Sequence, residues 1–399
     1  MKTAGIIAEY NPFHNGHLSQ INCLKSEYGF GGIVIVMSGD FVQRGEPAIL
    51  PKKLRAKMAI QAGADLVFEL PTLYATASAE FFAKGGISLL TRLGIADTLA
   101  FGMETPDGSA LENLAAKLTC LEKSPDYHEH LLHHMKQGKS YPLSRMLLLE
   151  ENGAASEELS LLQSPNNALA TEYSKALLVL KSPLALLPLK REGSGYEKEE
   201  LEEFSPSAKA VRKILKEKTQ GEANDILKPF VPEFVLKSLW REPFRFAEDF
   251  SQAFFYCLLC EEEKGFEEYL DISADLSDKI RKSLRKCRKN GCFHFQSFVN
   301  SLKTRDLTKT RIARGLLHIF LGIRKDSYLE IAKKAEIPYA RILAFNPESA
   351  LLHRLRKSPL PRFTNPYQYA RKPQSETSKA LLALDLRAEN LYSLSIEKR

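Results

Sequence analysis

The chain has 399 residues, of which 44% are hydrophobic and 26% charged. This mix excludes a wholly disordered chain, a collagen-like fibre and a small disulfide-stapled domain, and the length allows about two to three domains. The formal net charge of +7 hides an asymmetry: residues 1–200 carry 19 Lys+Arg against 23 Asp+Glu, and residues 201–399 carry 37 against 26.

No stretch reaches the ~18 uninterrupted apolar residues that a membrane helix needs. Met1-Lys2-Thr3-Ala4 runs into a strand-like pattern with no signal-peptide layout. Six cysteines without a regular framework fit a reducing cytoplasm. The expected location is therefore cytoplasmic, with no membrane partner.

The first hundred residues alternate short apolar runs with helical patterns. Thr3–Glu9 reads as a buried strand, Leu18–Lys25 as a helix and Gly32–Met37 as a second strand. Pro51–Gln61 opens with a helix-start proline and places Leu54, Met58 and Ala59 at helical spacing. Ala64–Leu70 is a third strand stopped by Pro71, Ser78–Leu93 a helix, and Asp97–Phe101 a fourth strand. Strands separated by helices predict βαβ units and a parallel sheet.

Beyond Gly102 the pattern turns mainly helical. Asn167–Leu180 carries an apolar face, Ala185–Lys190 is a further strand candidate, and a helix is expected from about Ser207. From about Gly221 onward only helices are expected, Phe250–Cys260 and Thr310–Leu321 among them, with Lys357–Ser378 irregular. Gly221, Pro229 and Pro232 cluster at a boundary. The expected fold is α/β: a Rossmann-like parallel sheet of nucleotide-binding type in residues 1–220, then a mainly helical basic domain in 221–399.

The chemistry concentrates in Asn11-Pro12-Phe13-His14-Asn15-Gly16-His17, directly after the first strand. A strand that ends in a tight turn and opens a helix aims loop amides and a helix N-terminus at one spot, which favours an anion. His14 and His17 add imidazole donors where charge develops during displacement at a phosphate. Gly16 allows close backbone approach. In open α/β sheets ligands sit at the C-terminal ends of the strands, where this loop lies. A metal reading of the two histidines lacks a carboxylate pair to complete a ligand set, so no metal site is expected here.

These residues resemble the HIGH-type nucleotidyltransferase superfamily, and in detail the bacterial tRNA(Met) cytidine acetate ligase family. Further blocks carry the resemblance: Ser38–Ala48, Glu69-Leu70-Pro71, Phe101-Gly102, Ser164-Pro165-Asn166-Asn167 with Glu172 and Tyr173, Lys190–Tyr196, Ser207–Arg212, Thr310–Ile323 and Tyr339–Pro347. The resemblance implies an enzyme that uses ATP and acetate to make acetyl-adenylate and pyrophosphate. It then acetylates N4 of the wobble cytidine of elongator tRNA(Met). The family's ATP-binding positions carry over to Ile7, Ala8, Glu9, Tyr10, Asn11, Pro12, Phe13, His14, Asn15, Gly16, His17, Leu18, Ser19, Gln20, Gly102, one of Asn166 and Asn167, and Arg191. Taken alone, either asparagine reads first as a helix N-cap. Mg²⁺ is expected with ATP, bridging phosphate oxygens.

Two positions depart from the family pattern. Glu197 stands where a histidine often follows the Gly-x-Gly-Tyr turn, and Lys209 replaces a hydroxyl residue in Ser207–Arg212. Lysine can still hold a phosphate as a point charge.

Lys279–Arg314 holds 12 basic residues and one acid, Asp306. This segment reads as the tRNA-binding surface, with Arg281, Arg285, Arg288, Arg311 and Arg314 as phosphate contacts; a solvated helical face is the alternative. Phe293, Phe295 and Phe298 beside it read as core before base-stacking, and Cys257 and Cys260, with Cys287, Cys292 and His294 downstream, as buried thiols before zinc ligands. His128, His130, His133 and His134 lie in a polar helical stretch, with metal binding the minor alternative. Two other functions share the loop: a small-molecule nucleotidyltransferase, and an RNA-binding protein with a vestigial nucleotide site. The basic C-terminal half argues against the first, and intact His14, Gly16 and His17 against the second.

Overall fold

The computed structural model describes residues 1–137, 139–191, 207–291, 293–304 and 307–394. Nine strands appear among them: β1 (Thr3–Ala8), β2 (Gly32–Ser38), β3 (Phe41–Val42), β4 (Glu46–Pro47), β5 (Leu66–Leu70), β6 (Thr98–Met103), β7 (Ala185–Lys190), β8 (Ala340–Phe345) and β9 (Arg362–Phe363). Seven form one sheet in the order β7-β6-β1-β2-β5-β8-β9, and β3 and β4 pair as a separate hairpin. β1 runs parallel to both β2 and β6, and β2 parallel to β5. The chain moves outward from β1 through β2 to β5, then returns to place β6 on the other side of β1. The crevice between β1 and β6 is therefore the topological switch point, where open sheets bind ligands.

The central strands β1, β2, β5 and β6 are buried on both faces, which is why they read as continuous apolar runs. Neighbouring residues still divide between faces with period two. Ile6, Ile33, Ile35 and Met37 join one apolar cluster with Ile21, Met58 and Val235. Ile7, Val34 and Val36 join the other, with Leu90, Tyr173, Leu316 and Leu384. Helices α1 (Asn15–Ser26) and α2 (Lys52–Gln61) thus cover the first face, and α3 (Thr72–Ala75), α4 (Ala79–Leu93) and helix Pro165–Val179 the second.

The expectation of helices alone beyond Gly221 is corrected by β8 and β9. β8 pairs antiparallel with β5, with Leu66 opposite Phe345. Ile342, Ala344 and Phe345 pair with Phe68, Val67 and Leu66, 274 to 279 positions away, a pairing no local pattern reports. Lys357–Ser378, expected to be irregular, contains β9, a short helix Pro366–Ala370 and the start of helix Glu376–Ser393. Both apolar clusters draw residues from either side of position 220, so packing crosses the compositional boundary.

A buried ion-pair network fastens the C-terminal helix to the sheet. Lys52, 3% exposed, lies 3.0 Å from Asp40, 2.7 Å from Glu69 and 3.3 Å from Glu389. Arg341 pairs with Glu69 at 3.1 Å and with Glu389 at 2.8 Å. Asp385 accepts from the Thr72 backbone N–H and from the Tyr339 hydroxyl, each at 2.7 Å. Arg55, fully buried, donates to the backbone carbonyls of Glu9, Ser38, Gly39 and Leu50. It ties the C-terminal ends of β1 and β2 together beneath the loop that follows β1.

Candidate active site

β1 delivers the chain into a sharp turn. Tyr10 takes a positive φ of 47°, uncommon for a side chain of its size, and its ring is buried against Phe13 and His17. Asn11 holds the turn from both ends: its Oδ1 accepts from Ile49 N–H at 2.7 Å, and its carbonyl accepts from Arg212 at 2.8 Å. Pro12 and Phe13 are buried, so the loop is anchored in the core.

His14 caps α1, and the two histidines cap reciprocally. His14 Nδ1 accepts the Gly16 N–H and His17 Nδ1 accepts the His14 N–H, each at 3.2 Å. The rings stack with centroids 3.7 Å apart. Because each Nδ1 accepts, the proton of each neutral ring sits on Nε2. Burial pushes the His14 pKa down to about 3, with the nearby Arg191 charge adding to the effect. His17 is likewise held well below 6.5 by burial, then by His14 and Arg191. The pair therefore offers neutral N–H donors.

One expectation changes here. The first amides of α1 were expected to aim at a ligand, but Asn15 N–H donates to Phe230 O at 3.0 Å and Gly16 N–H to His14. The helix contributes its dipole and its histidines, and these two amides are already engaged.

A cleft opens over the ends of β1 and β6. Of the expected nucleotide residues, Ile7, Ala8, Glu9, Tyr10, Asn11, His14, His17, Gln20, Gly102, Asn166 and Arg191 line it. Pro12, Phe13, Asn15, Gly16, Leu18, Ser19 and Asn167 do not. Ser164, not either asparagine, caps helix Pro165–Val179 by accepting from Asn167 N–H. Asn167 accepts from the Glu104 N–H at 3.0 Å, and Asn166 donates to the Glu104 carboxylate. Glu172 is held by Arg145 at 2.9 Å and by Lys175 at 3.2 Å, which orients the helix so that Leu169 and Tyr173 face the cleft.

Gly102 lies against Arg191. A Cβ there would stand 2.8 Å from Arg191 Cγ, so the glycine leaves room for the arginine side chain. The Arg191 backbone is fixed by its N–H to Met103 O at 2.8 Å.

Several lining residues fall outside the positions that the resemblance assigns to ATP. Gln43 and Arg44 come from the β3–β4 hairpin, and Ser207, Ala208, Lys209 and Arg212 from the start of helix Ala208–Glu217. Their signal was present in the quoted blocks Ser38–Ala48 and Ser207–Arg212. Ser207 caps its helix by accepting from Ala210 N–H at 3.1 Å, which points a second helix N-terminus into the cleft. Arg44, Arg191, Lys209 and Arg212 give the site four cations around one described carboxylate, Glu9. Such a cleft suits a polyanion. The Gly193–Tyr196 turn and Glu197 lie outside the described residues.

The expected tRNA residues lie on other helices. Arg281, Arg285 and Arg288 are on helix Ala274–Asn290, where Arg285 and Arg288 reach Glu262 at 3.7 and 3.1 Å. Arg311 and Arg314 are on helix Lys309–Leu321, and Arg314 pairs with Asp271 at 2.8 Å. Phe295 and Phe298 are core residues, and Phe293 is 37% exposed. Cys257 is only partly buried and Cys260 is exposed, which corrects the expectation of buried thiols. No group of three His, Cys, Asp or Glu poised to hold a metal occurs among the described residues.

The sheet order, the switch-point cleft and the paired histidines define a HIGH-type nucleotidyl transferase. The profile of the HIGH Nucleotidyl Transferase family matches residues 1–399. A tRNA(Met) cytidine acetate ligase of Clostridium botulinum strain Hall is 36% identical, covering 99% of this chain and 94% of that protein. Those of Alkaliphilus metalliredigens and Caldanaerobacter subterraneus are 34% and 36% identical, covering 100% and 99% of this chain and 95% and 96% of the relatives. Crystal structures of Thermotoga maritima TmcAL, one apo and one bound with alpha-thio ATP, superpose with TM-scores of 0.89 and 0.87. Both are 29% identical to the chain, covering 99% of it and 95% of the crystallised chain. The chain belongs to the tRNA(Met) cytidine acetate ligase family.

Proposed function

We propose that the chain is an ATP-dependent acetate ligase that forms acetyl-adenylate and pyrophosphate, then acetylates N4 of the wobble cytidine of elongator tRNA(Met). The observation that carries this reading is the cationic cleft at the β1/β6 switch point, where His14, His17, Arg191 and Lys209 converge in a chain of this family.

Arg191 and Lys209 hold phosphate oxygens, Arg191 by its fork of donors and Lys209 as a point charge. The Nε2–H groups of His14 and His17 donate to the α-phosphate as acetate attacks it in line and pyrophosphate leaves. The site supplies position and charge; no covalent enzyme intermediate is required. The lining residues do not form a protein-held metal site, since each histidine spends Nδ1 on a backbone N–H and the other charged neighbours are mainly cations. Mg²⁺ would arrive with ATP and supply charge neutralisation to its phosphates.

Acceptor cytidine must be presented unstacked, as single-stranded loops allow. The basic helix Ala274–Asn290 would hold the tRNA backbone, with Arg281, Arg285 and Arg288 in the leading role and Arg311 adding a contact from helix Lys309–Leu321. Arg314 contributes chiefly through Asp271. No helix among the described residues is long and apolar enough to cross a membrane. We place the protein in the cytoplasm, with its tRNA.

Pyrophosphate exchange into ATP, measured with acetate, with longer carboxylates and with neither, tests the reading. Exchange should require acetate and weaken by about 10–200-fold per added methylene. Exchange that ignores acetate but responds to a phosphate-bearing acceptor would replace the ligase with a small-molecule nucleotidyltransferase.

A further inference from the structure

Acetyl transfer to an exocyclic amine has a proton to dispose of. The N4 lone pair forms the new N–C bond at the acetyl carbonyl, the C–O bond to the adenylate phosphate breaks, and AMP leaves with that electron pair. AMP is a good leaving group and needs no protonation. The amine, whose lone pair is shared with the pyrimidine ring, must lose its proton as the bond forms.

Few described groups lining the cleft can receive that proton. His14 and His17 each use Nδ1 to accept a backbone N–H, so Nε2 already carries the ring proton. Arg44, Arg191, Lys209 and Arg212 are cations, with donors only. Tyr10 is buried, and burial drives its phenol above the ordinary range, so it stays protonated. Glu9 is the one carboxylate among the described lining residues. It sits one residue past the end of β1, and its Oε1 accepts the Gln43 N–H at 2.9 Å. That bond fixes the carboxylate between the β1 loop and the β3–β4 hairpin, two walls of the cleft.

We propose that Glu9 is the general base of acetyl transfer: its carboxylate takes the proton from cytidine N4 as the amide forms and AMP departs, then passes it to water. The inference rests on the acetyl-transfer reading above and adds a residue to it.

The electrostatic setting agrees. Burial raises Glu9 above the usual carboxylate range, while the Gln43 N–H, Arg44 and Arg212 oppose that shift and Glu46 adds to it. Arg55 faces it from α2, donating to its backbone carbonyl. His14 and His17, both neutral, line the same cleft from the start of α1, as do Arg191 and Lys209. A carboxylate brought nearer to neutrality is a better base at cytoplasmic pH, and the anionic adenylate pushes in the same direction.

The test compares the two half-reactions in Glu9→Gln, whose amide oxygen can still accept from Gln43. Acetate-dependent pyrophosphate exchange without tRNA reads the first half. Single-turnover acetyl transfer from preformed enzyme-bound acetyl-adenylate to tRNA, from about pH 5 to 8.5, reads the second. Transfer should fall by about 10²–10⁴ and lose its decline toward acid pH, with exchange reduced by a clearly smaller factor. Glu9→Asp should transfer slowly but keep the acid limb, which protects the test should Glu9→Gln fold poorly. Equal losses in both halves, or an acid limb that persists in Glu9→Gln, would overturn the assignment. A parent enzyme whose exchange ignores acetate would instead sink the ligase reading, and this inference with it.

Discussion

Gly45 lies against the backbone of Arg314: a Cβ at position 45 would stand 2.3 Å from the Arg314 nitrogen. The glycine has a φ of 77°, and its N–H closes the hairpin turn onto Val42 O at 3.0 Å. Through this contact the turn that puts Gln43 and Arg44 into the cleft rests on helix Lys309–Leu321. Gly45→Ala combines a disfavoured φ, about 1–2 kcal/mol, with overpacking against backbone, about 1–3 kcal/mol. Urea unfolding should show a loss of about 2–5 kcal/mol, and exchange should lose affinity for ATP or acetate as the hairpin shifts. A variant as stable and active as the parent would mean that the hairpin moves freely on the helix.

On the proposed mechanism, replacing His14 or His17 by Ala removes a donor from developing phosphate charge. Adenylate formation should drop by about 10²–10³ in each variant. Each also removes half of a reciprocal cap, so a stability loss of about 1 kcal/mol should accompany it. Parent-like exchange in both variants would refute the role of the pair.

The histidines also predict how stability depends on pH. Their folded pKa values lie below the ordinary 6.5, His14 at about 3, because burial disfavours the charged rings. Unfolded rings bind protons first as pH falls, so stability is full above about 6.5 and is lost progressively toward the folded values. The slope approaches about 1.4 kcal/mol per pH unit for each ring. His14→Asn keeps a good capping residue and removes one titrating ring. Its stability should fall less steeply from pH 6.5 to 5 than the parent's; an unchanged slope would show that acid unfolding is governed elsewhere.

Much of this site was legible because local pattern and tertiary role coincide. Thr3–Ala8 is an apolar run since β1 is covered on both faces, and the loop after it is anchored by its own Phe13 and capped by its own histidines. Other features hide because composition points the wrong way. Lys52 and Arg55 sit in a stretch, Pro-Lys-Lys-Leu-Arg-Ala-Lys, that resembles a solvated helix face, yet they are 3% and 0% exposed. Their partners come from Asp40, Glu69 and Glu389 and from strand-end carbonyls, none of which a local window contains. β8 escaped notice for the same reason: Arg341, at 2% exposure, breaks its apolar run, and the carboxylates that pair with its charge, Glu69 and Glu389, lie far off in sequence or on another element. Asn166 and Asn167 looked like caps, but Ser164 stands at the position from which a side-chain oxygen reaches the Asn167 N–H.

The Lys52 network should behave as a clasp on the C-terminal helix. Lys52→Met leaves Asp40 and Glu69 buried without their shared cation, and breaking a buried pair in this way costs about 3–5 kcal/mol. Glu389 is 30% exposed, so Glu389→Gln should cost far less, on the order of 1 kcal/mol. Chemical denaturation of both variants checks the order. Equal small losses would show that the helix is held by its apolar face alone.

The basic helix makes the most specific demand on the tRNA reading. Arg285 and Arg288, 61% and 48% exposed, already lean on Glu262, so phosphates must compete with that carboxylate for them. Surface pairs of this kind are worth about 0–1 kcal/mol, too little to withhold the arginines from a polyanion. Reversing Arg281, Arg285 and Arg288 to Glu should weaken tRNA binding strongly and flatten the slope of log affinity against log salt by roughly 0.7–0.9 per lost contact. Acetate-dependent exchange without tRNA should stay near the parent's, because these side chains do not line the cleft. Glu262→Gln tests the same surface from the other side: with the competing carboxylate neutralised, tRNA should bind more tightly, most visibly at low salt. If the triple reversal binds tRNA like the parent and Glu262→Gln changes nothing, the helix is a solvated face. The docking surface would then be sought first around Arg341–Arg362, where Arg354, Arg356, Lys357 and Arg362 recur.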